Sequence, residues 1–279
     1  MIFRQRFRVL VMGLLGASLL LPIWAVAQDS AGVAVPARLS LSEIVAQMTQ
    51  RNAERAKDLG HFEGRREYRL DYKGFPHDLH AEMVVQVSYS APSTEEFTVV
   101  SQSGSSAILN RVIKPIMETE RESLQPANYD SVQITAGNYN FILLDSRENG
   151  DGCPYELSVE PKVPNKFLFR GKIWVDSKDF AVCRIEAEPA KNPSFWIKST
   201  AIHHSFTKVG DFWLPVANSS ASNIRFGGRA TLTIAYEDYH DVQTATVQVT
   251  AGPEKPVPPA NAPAPAGVGP VRSGFVSVP

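Results

Sequence analysis

The sequence predicts a mainly β protein, with some helix, built on a broad curved antiparallel sheet. Three observations carry this reading. Residues 167–215 form consecutive long strand patterns separated by polar clusters, with Phe167, Phe169, Ile173 and Val175 on one face. Residues 78–90 alternate most clearly, with Leu79, Ala81, Met83, Val85, Val87 and Tyr89 set against mostly polar neighbours. Apolar residues recur at helical spacing in two stretches, 41–59 and 108–117, and each such stripe needs a surface to cover.

The first helix is announced by Ser40 and Glu43, a capping box, and Gly60 is its expected stop. Leu41, Ile44, Val45, Met48, Ala56 and Leu59 make its apolar stripe. Strands follow over 63–73 and 78–90, reversed at Gly74-Phe75-Pro76, then over 95–101 after Pro92-Ser93-Thr94. The second helical stretch carries Ile108, Leu109, Val112, Ile113, Ile116 and Met117, and Pro115 inside it predicts a kink or break. A loop at Pro126-Ala127-Asn128 leads to strands 139–146 and 154–160 around Asn149-Gly150-Asp151-Gly152. Next come 167–176 and 180–188, reversed at Asp176-Ser177-Lys178-Asp179, and a last hairpin, 216–226 and 229–239, turns at Gly227-Gly228.

The two ends of the chain differ from this body. Arg4, Arg6 and Arg8, an apolar run from Val9 to Leu21, and Ala25-Val26-Ala27 make a secretory signal over residues 1–27, cleaved after Ala27. The run is shorter than the ~20 residues of a spanning helix. Residues 28–38 read as a tether and 39–250 as one β domain. Residues 251–279, rich in Pro and Ala, cannot build a core and read as a disordered tail. The location expected is the periplasm. Removal of the signal takes three arginines and no acid from a chain of net charge −1, which disfavours nucleic acid as a partner.

Cys153 and Cys183 are the two cysteines, an even count in an oxidising compartment. In a simple meander their strands are separated by a third, roughly 9 to 10 Å apart, beyond the roughly 7 Å that a disulfide tolerates. Twist or a bulge at that end of the sheet would bring them together. The bridge and a pair of buried thiols both stay open.

Nothing in the spacing announces catalysis. His203 and His204 are adjacent and point to opposite faces of a strand, and His77 and His80 lie at an odd separation, so neither pair makes a ligand set. No G-x-S-x-G elbow, H-E-x-x-H helix or phosphate-cradling glycine loop is present. Glu95-Glu96 and Glu237-Asp238 are ordinary for exposed strands. No enzyme, metal or cofactor is therefore expected. The apolar faces offer another use: they either fill a core or leave a lined cavity under a helix. The candidate lining is Ile44, Met48, Met83, Val85, Val87, Tyr89, Ile173, Val175, Leu232, Ile234 and Tyr236.

The order of elements resembles that of the bacterial lipoprotein-localisation factors, LolA and LolB. The block Phe169-Arg170-Gly171-Lys172-Ile173-Trp174-Val175-Asp176, the strand 180–188 after it, and Gly210-Asp211-Phe212-Trp213-Leu214-Pro215 are similar to the signature of outer-membrane lipoprotein-sorting proteins. The resemblance spans roughly residues 38 to 245. It implies an unclosed, strongly curved antiparallel β-barrel with helices packed in its concave mouth. It further implies a non-catalytic carrier whose partners are acyl chains of lipids or lipoproteins, and possible contacts with envelope membrane proteins. Residues 40–59 would be its movable cover. No cysteine lies at the cleavage site to carry a lipid, so the soluble carrier is the nearer likeness. Arg66 and Arg69 both lie in the first strand, and no motif selects either as the carrier's polar cavity residue. The reading from another class is an envelope scaffold on the same fold, with a filled core and no lipid.

Overall fold

The computed structural model describes residues 39–146, 152–192, 194–225 and 227–245. The signal segment, tether, tail and most of the 149–152 turn lie outside the described residues. Helix α1 (Leu41–Asp58) starts as expected: Glu43 N–H donates to Ser40 Oγ at 3.3 Å, and Ser40 N–H donates back to Glu43 Oε2 at 2.8 Å. Its end differs from the expectation. Leu59 turns extended and opens strand β1 at once, so Gly60 is a strand residue and not the helix stop. A Cβ there would lie 2.6 Å from the Ala245 backbone nitrogen, so glycine serves the close approach of the last strand.

The strands are β1 (Leu59–Lys73), β2 (Leu79–Ser90), β3 (Thr94–Gly104), β4 (Tyr139–Ser146), β5 (Tyr155–Pro161), β6 (Phe169–Val175), β7 (Val182–Pro189), β8 (Ile197–Val209), β9 (Phe212–Ile224) and β10 (Arg229–Thr244). They form one ten-stranded sheet in the order β3-β2-β1-β10-β9-β8-β7-β6-β5-β4. All neighbours are antiparallel. The edges β3 and β4 do not pair with each other, so the sheet stays open. Strand 180–188 starts later than the alternation suggested, because Phe180 takes φ 50° and belongs to the turn.

The chain passes from one edge to the other through a helical stretch: α2 (Ser106–Ile108), a π-helical turn (Leu109–Ile113), α3 (Lys114–Ser123) and the short α4 (Tyr129–Val132). Pro115 does not break it. Proline lacks the N–H and crowds the carbonyl four residues back, and the helix widens just before it, with Lys114 N–H donating to Leu109 O. Ile108, Leu109, Ile113 and Met117 from this stretch pack into one buried cluster with Met83, Val85, Val87, Tyr89, Leu232, Ile234 and Tyr236.

Cys153 and Cys183 are bridged, with Cα atoms 6.5 Å apart. The middle strand does not intervene. Cys153 precedes β5 and lies past the end of β6 at Val175, and the β6/β7 register shifts between Trp174 and Val175.

Candidate ligand-binding site

A cavity of about 280 Å³ lies beneath the C-terminal half of α1. Asn52, Arg55, Ala56 and Leu59 face it from above, Ala181, Val182 and Ile185 from the start of β7, Phe206 from β8, and Phe212, Trp213 and Leu214 from β9. Its lining is mostly aliphatic and aromatic. One carboxylate organises the wall. Asp176 Oδ1 accepts the N–H groups of Lys178 and Asp179 and so shapes the turn before β7. Asp179 then accepts Trp213 Nε1 at 2.9 Å and Lys208 Nζ at 2.7 Å, and these bonds hold its carboxyl below the ordinary range. Arg55 Nη1 donates to the Asp179 carbonyl at 2.7 Å, tying α1 to the same turn.

The eleven expected lining residues are all buried, but none of them lines this cavity. Met83, Val85, Val87, Tyr89, Leu232, Ile234 and Tyr236 form the cluster under the 106–123 helices. Ile44, Met48, Ile173 and Val175 are fully buried outside that cluster. The interior thus has two adjoining regions, the cluster under the 106–123 helices and the cavity beside α1, which share Phe212 and Leu214.

Within the first region sits a charge. Arg66 is 4 % exposed, donates to Glu95 and to Glu120 at 2.6 Å each, and lies over the rings of Phe97 and Tyr236 at 5.3 and 5.0 Å. Arg69, at 51 % side-chain exposure, binds Glu82 on the outer face. Burial opposes the Arg66 charge, yet Glu120 and Glu95 outweigh it and hold the guanidinium above its ordinary value. Burial and the neighbouring Glu120 push Glu95 above the carboxylate range, and its Oε2 is buried without a hydrogen-bond partner among the described residues. Burial likewise takes Tyr68 up to about 12.

Rings join the two regions. Phe206, which lines the cavity, lies 4.3 Å from His204, whose ring is 6.0 Å from Tyr236, beneath Arg66. His204 faces inward and His203 outward, as adjacent strand residues must. Burial and Arg66 bring His204 down to about 4, and its Nε2 has no hydrogen-bond partner among the described residues.

Sequence spacing missed Arg66 and Glu95, although a signal was present. In β1 the buried positions are Phe62, Gly64, Arg66, Tyr68 and Leu70, so Arg66 shares the inward parity that Arg65 and Arg69 lack. Spacing also missed a grouping of Glu63, His240 and Asp241, whose ligand atoms lie within 4.8 Å of one another. β1 and β10 slip register around Glu63, and Asp238 and Asp241 take φ 55° and 50°, which turns His240 toward β1. The Asp238 carbonyl, with Asp241 and Glu63, raises the His240 pKa. The group is largely exposed.

Fold and interior together define an open antiparallel half-barrel with helices over its concave face and an apolar cavity beneath one of them. The chain is similar to a LolA superfamily protein from Nitrosomonas europaea, at 13 % identity and TM-score 0.32, covering 70 % of this chain and 92 % of that one. A putative outer membrane lipoprotein-sorting protein domain from Vibrio parahaemolyticus gives 12 %, 0.33, 70 % and 91 %. The MucA/MucB complex of Pseudomonas aeruginosa gives 10 %, 0.23, 69 % and 93 %. No protein-family model and no curated protein sequence matches the chain.

Proposed function

We propose that this protein is a periplasmic, non-catalytic carrier that holds one acyl chain of a lipid or lipoprotein in the cavity beneath α1. The observation that carries the reading is the cavity itself: about 280 Å³, mostly apolar in its lining, partly open to solvent and flanked by α1 and Ile134. That volume is just under the roughly 300 Å³ at which drug-sized sites begin, so it holds part of a single chain and the rest extends through the open side. Each methylene moved from water into such a site contributes about 0.8 kcal/mol. Arg55 to the Asp179 carbonyl is a polar tie between roof and wall, and displacement of α1 opens the route for release. The signal-like first 27 residues support export.

A second reading is favoured by the other half of the interior. There the 106–123 helices already pack against Met83, Val85 and Val87, as in a scaffold with a filled core. Mass spectrometry of organic extracts from protein purified out of its native envelope separates the two. Acyl-bearing species at about one per chain are expected. Their repeated absence, together with no displaceable binding of a fluorescent fatty acid, would leave the scaffold.

A further inference from the structure

The end of the sheet opposite the cavity carries a surface of its own. β1 begins at cavity-lining Leu59 and ends at Lys73, and three turns meet beyond Lys73. Tyr72 Oη lies 2.8 Å from the Phe75 carbonyl in the β1–β2 turn and 3.3 Å from the Gly227 carbonyl in the β9–β10 turn. Gly74 and Gly228 permit this contact, since a Cβ on Gly74, whose φ is +156°, would fall 2.6 Å from the Gly228 Cα. Arg225 N–H donates to the Trp196 carbonyl at 2.7 Å, joining the β7–β8 turn to the same rim.

Three large rings stand out from these joined turns. Phe75 is 83 % exposed, Phe195 71 % and Trp196 60 %. Phe195 and Trp196 pack edge to face at 5.7 Å, and the Arg225 guanidinium lies 5.2 Å over Phe195. Exposed apolar residues scattered singly need no explanation, but a joined set on turn tips does. Positive charge also gathers on these turns, although Arg229 borders a groove that holds Glu160, Glu186 and Glu188. Lys73, Lys191, Lys198, Arg225 and Arg229 are exposed on the rim. The one acid within residues 73–78, 190–198 and 225–229 is Asp78, which Lys73 holds at 3.0 Å. The whole chain, by contrast, has net charge −1.

We propose that this rim docks the protein on the surface of a bilayer containing anionic phospholipid. Trp and Phe settle at the level of the headgroups, and lysine and arginine beside them are drawn to the negative lipid surface. Docking by this end leaves the α1 cavity at the far end of the strands, so it does not depend on what that cavity holds.

The test is sedimentation of the processed chain, purified from the envelope, with vesicles of phosphatidylcholine alone or mixed with phosphatidylglycerol. Wild type is expected to sediment with the anionic vesicles, to stay in solution with the neutral ones, and to release as salt is raised. Phe75→Ser, Phe195→Ser and Trp196→Ser combined, and separately Lys191→Glu with Arg225→Glu, are expected to weaken sedimentation about tenfold or more. Circular dichroism checks the fold of each variant, and binding of a fluorescent fatty acid, read in parallel, is expected to stay at the wild-type level. Wild type left in solution with both vesicles would overturn the proposal and leave the rim as a protein-docking surface. Undiminished sedimentation of both folded variants would also overturn it.

Discussion

Arg66 and Glu95 meet at 2.6 Å with side-chain exposures of 4 % and 3 %, an ion pair closed into the concave side of an otherwise apolar sheet. Removing one partner leaves the other charge buried and unpaired. Arg66→Met alone is therefore expected to destabilise the fold by about 3 to 5 kcal/mol. Arg66→Met with Glu95→Leu should recover most of that loss, because both fully buried groups leave together and Glu120, the other partner of Arg66, is one-third exposed and can turn to water. Urea unfolding of the three proteins checks this, and equal losses in the single and double variants would mean that the pair is not the unit that matters.

The parity argument that identifies Arg66 shows what sequence can carry. Period-two alternation located the strands within a few residues and placed Met83, Val85 and Val87 inside, since each of those facts is local to one strand. Arg66 was legible by the same rule, yet a charged residue on an inward register reads as noise until its partners are known. Those partners, Glu95 and Glu120, come from β3 and α3, and no spacing links them to β1. The cavity was less legible still. Its wall draws on α1, the start of β1, Ile134, β7, β8 and β9, and which side chains leave space there is decided by packing between elements. The Glu63–His240 contact needed bulges that alternation cannot foresee.

His204 gives the fold an acid-side weakness. Its pKa is about 4 in the folded chain, from burial first and Arg66 second, against roughly 6.5 when unfolded. Between these values the unfolded chain binds a proton that the folded one refuses, so stability falls as pH drops from 6.5 toward 4. The loss reaches about 3 kcal/mol from this residue. Glu95, raised by burial, works in the opposite sense, so the comparison of interest is between wild type and His204→Phe. The variant should lose less stability over that pH interval, measured by urea unfolding at several pH values. Parallel curves would contradict the assignment.

The Cys153–Cys183 bridge closes a loop of 30 residues around β6. Closing a loop of that length is expected to stabilise the fold by about 3 to 4 kcal/mol. Reduction, or Cys153→Ser with Cys183→Ser, should lower the thermal midpoint correspondingly while leaving the β signature in circular dichroism intact at low temperature. An unchanged midpoint would show that the turn at Asp176 holds this end without the bridge.

Met48 and Ala56 lie on the same helix and should separate stability from binding. Met48 is fully buried away from the cavity, so Met48→Ala is expected to cost about 2 to 5 kcal/mol and to leave the affinity of the folded protein for an acyl probe near wild type.

Ala56 lines the open side of the cavity, where it is exposed, and a larger side chain there narrows the entry for the acyl chain assigned to the cavity. Titration of a fluorescent fatty acid into wild type and Ala56→Trp is the most direct test of that assignment. Saturation at one chain per protein in wild type, with affinity about tenfold or more weaker in the folded variant, is the outcome expected from loss of two or so buried methylenes. Equal affinity in the two proteins would contradict it.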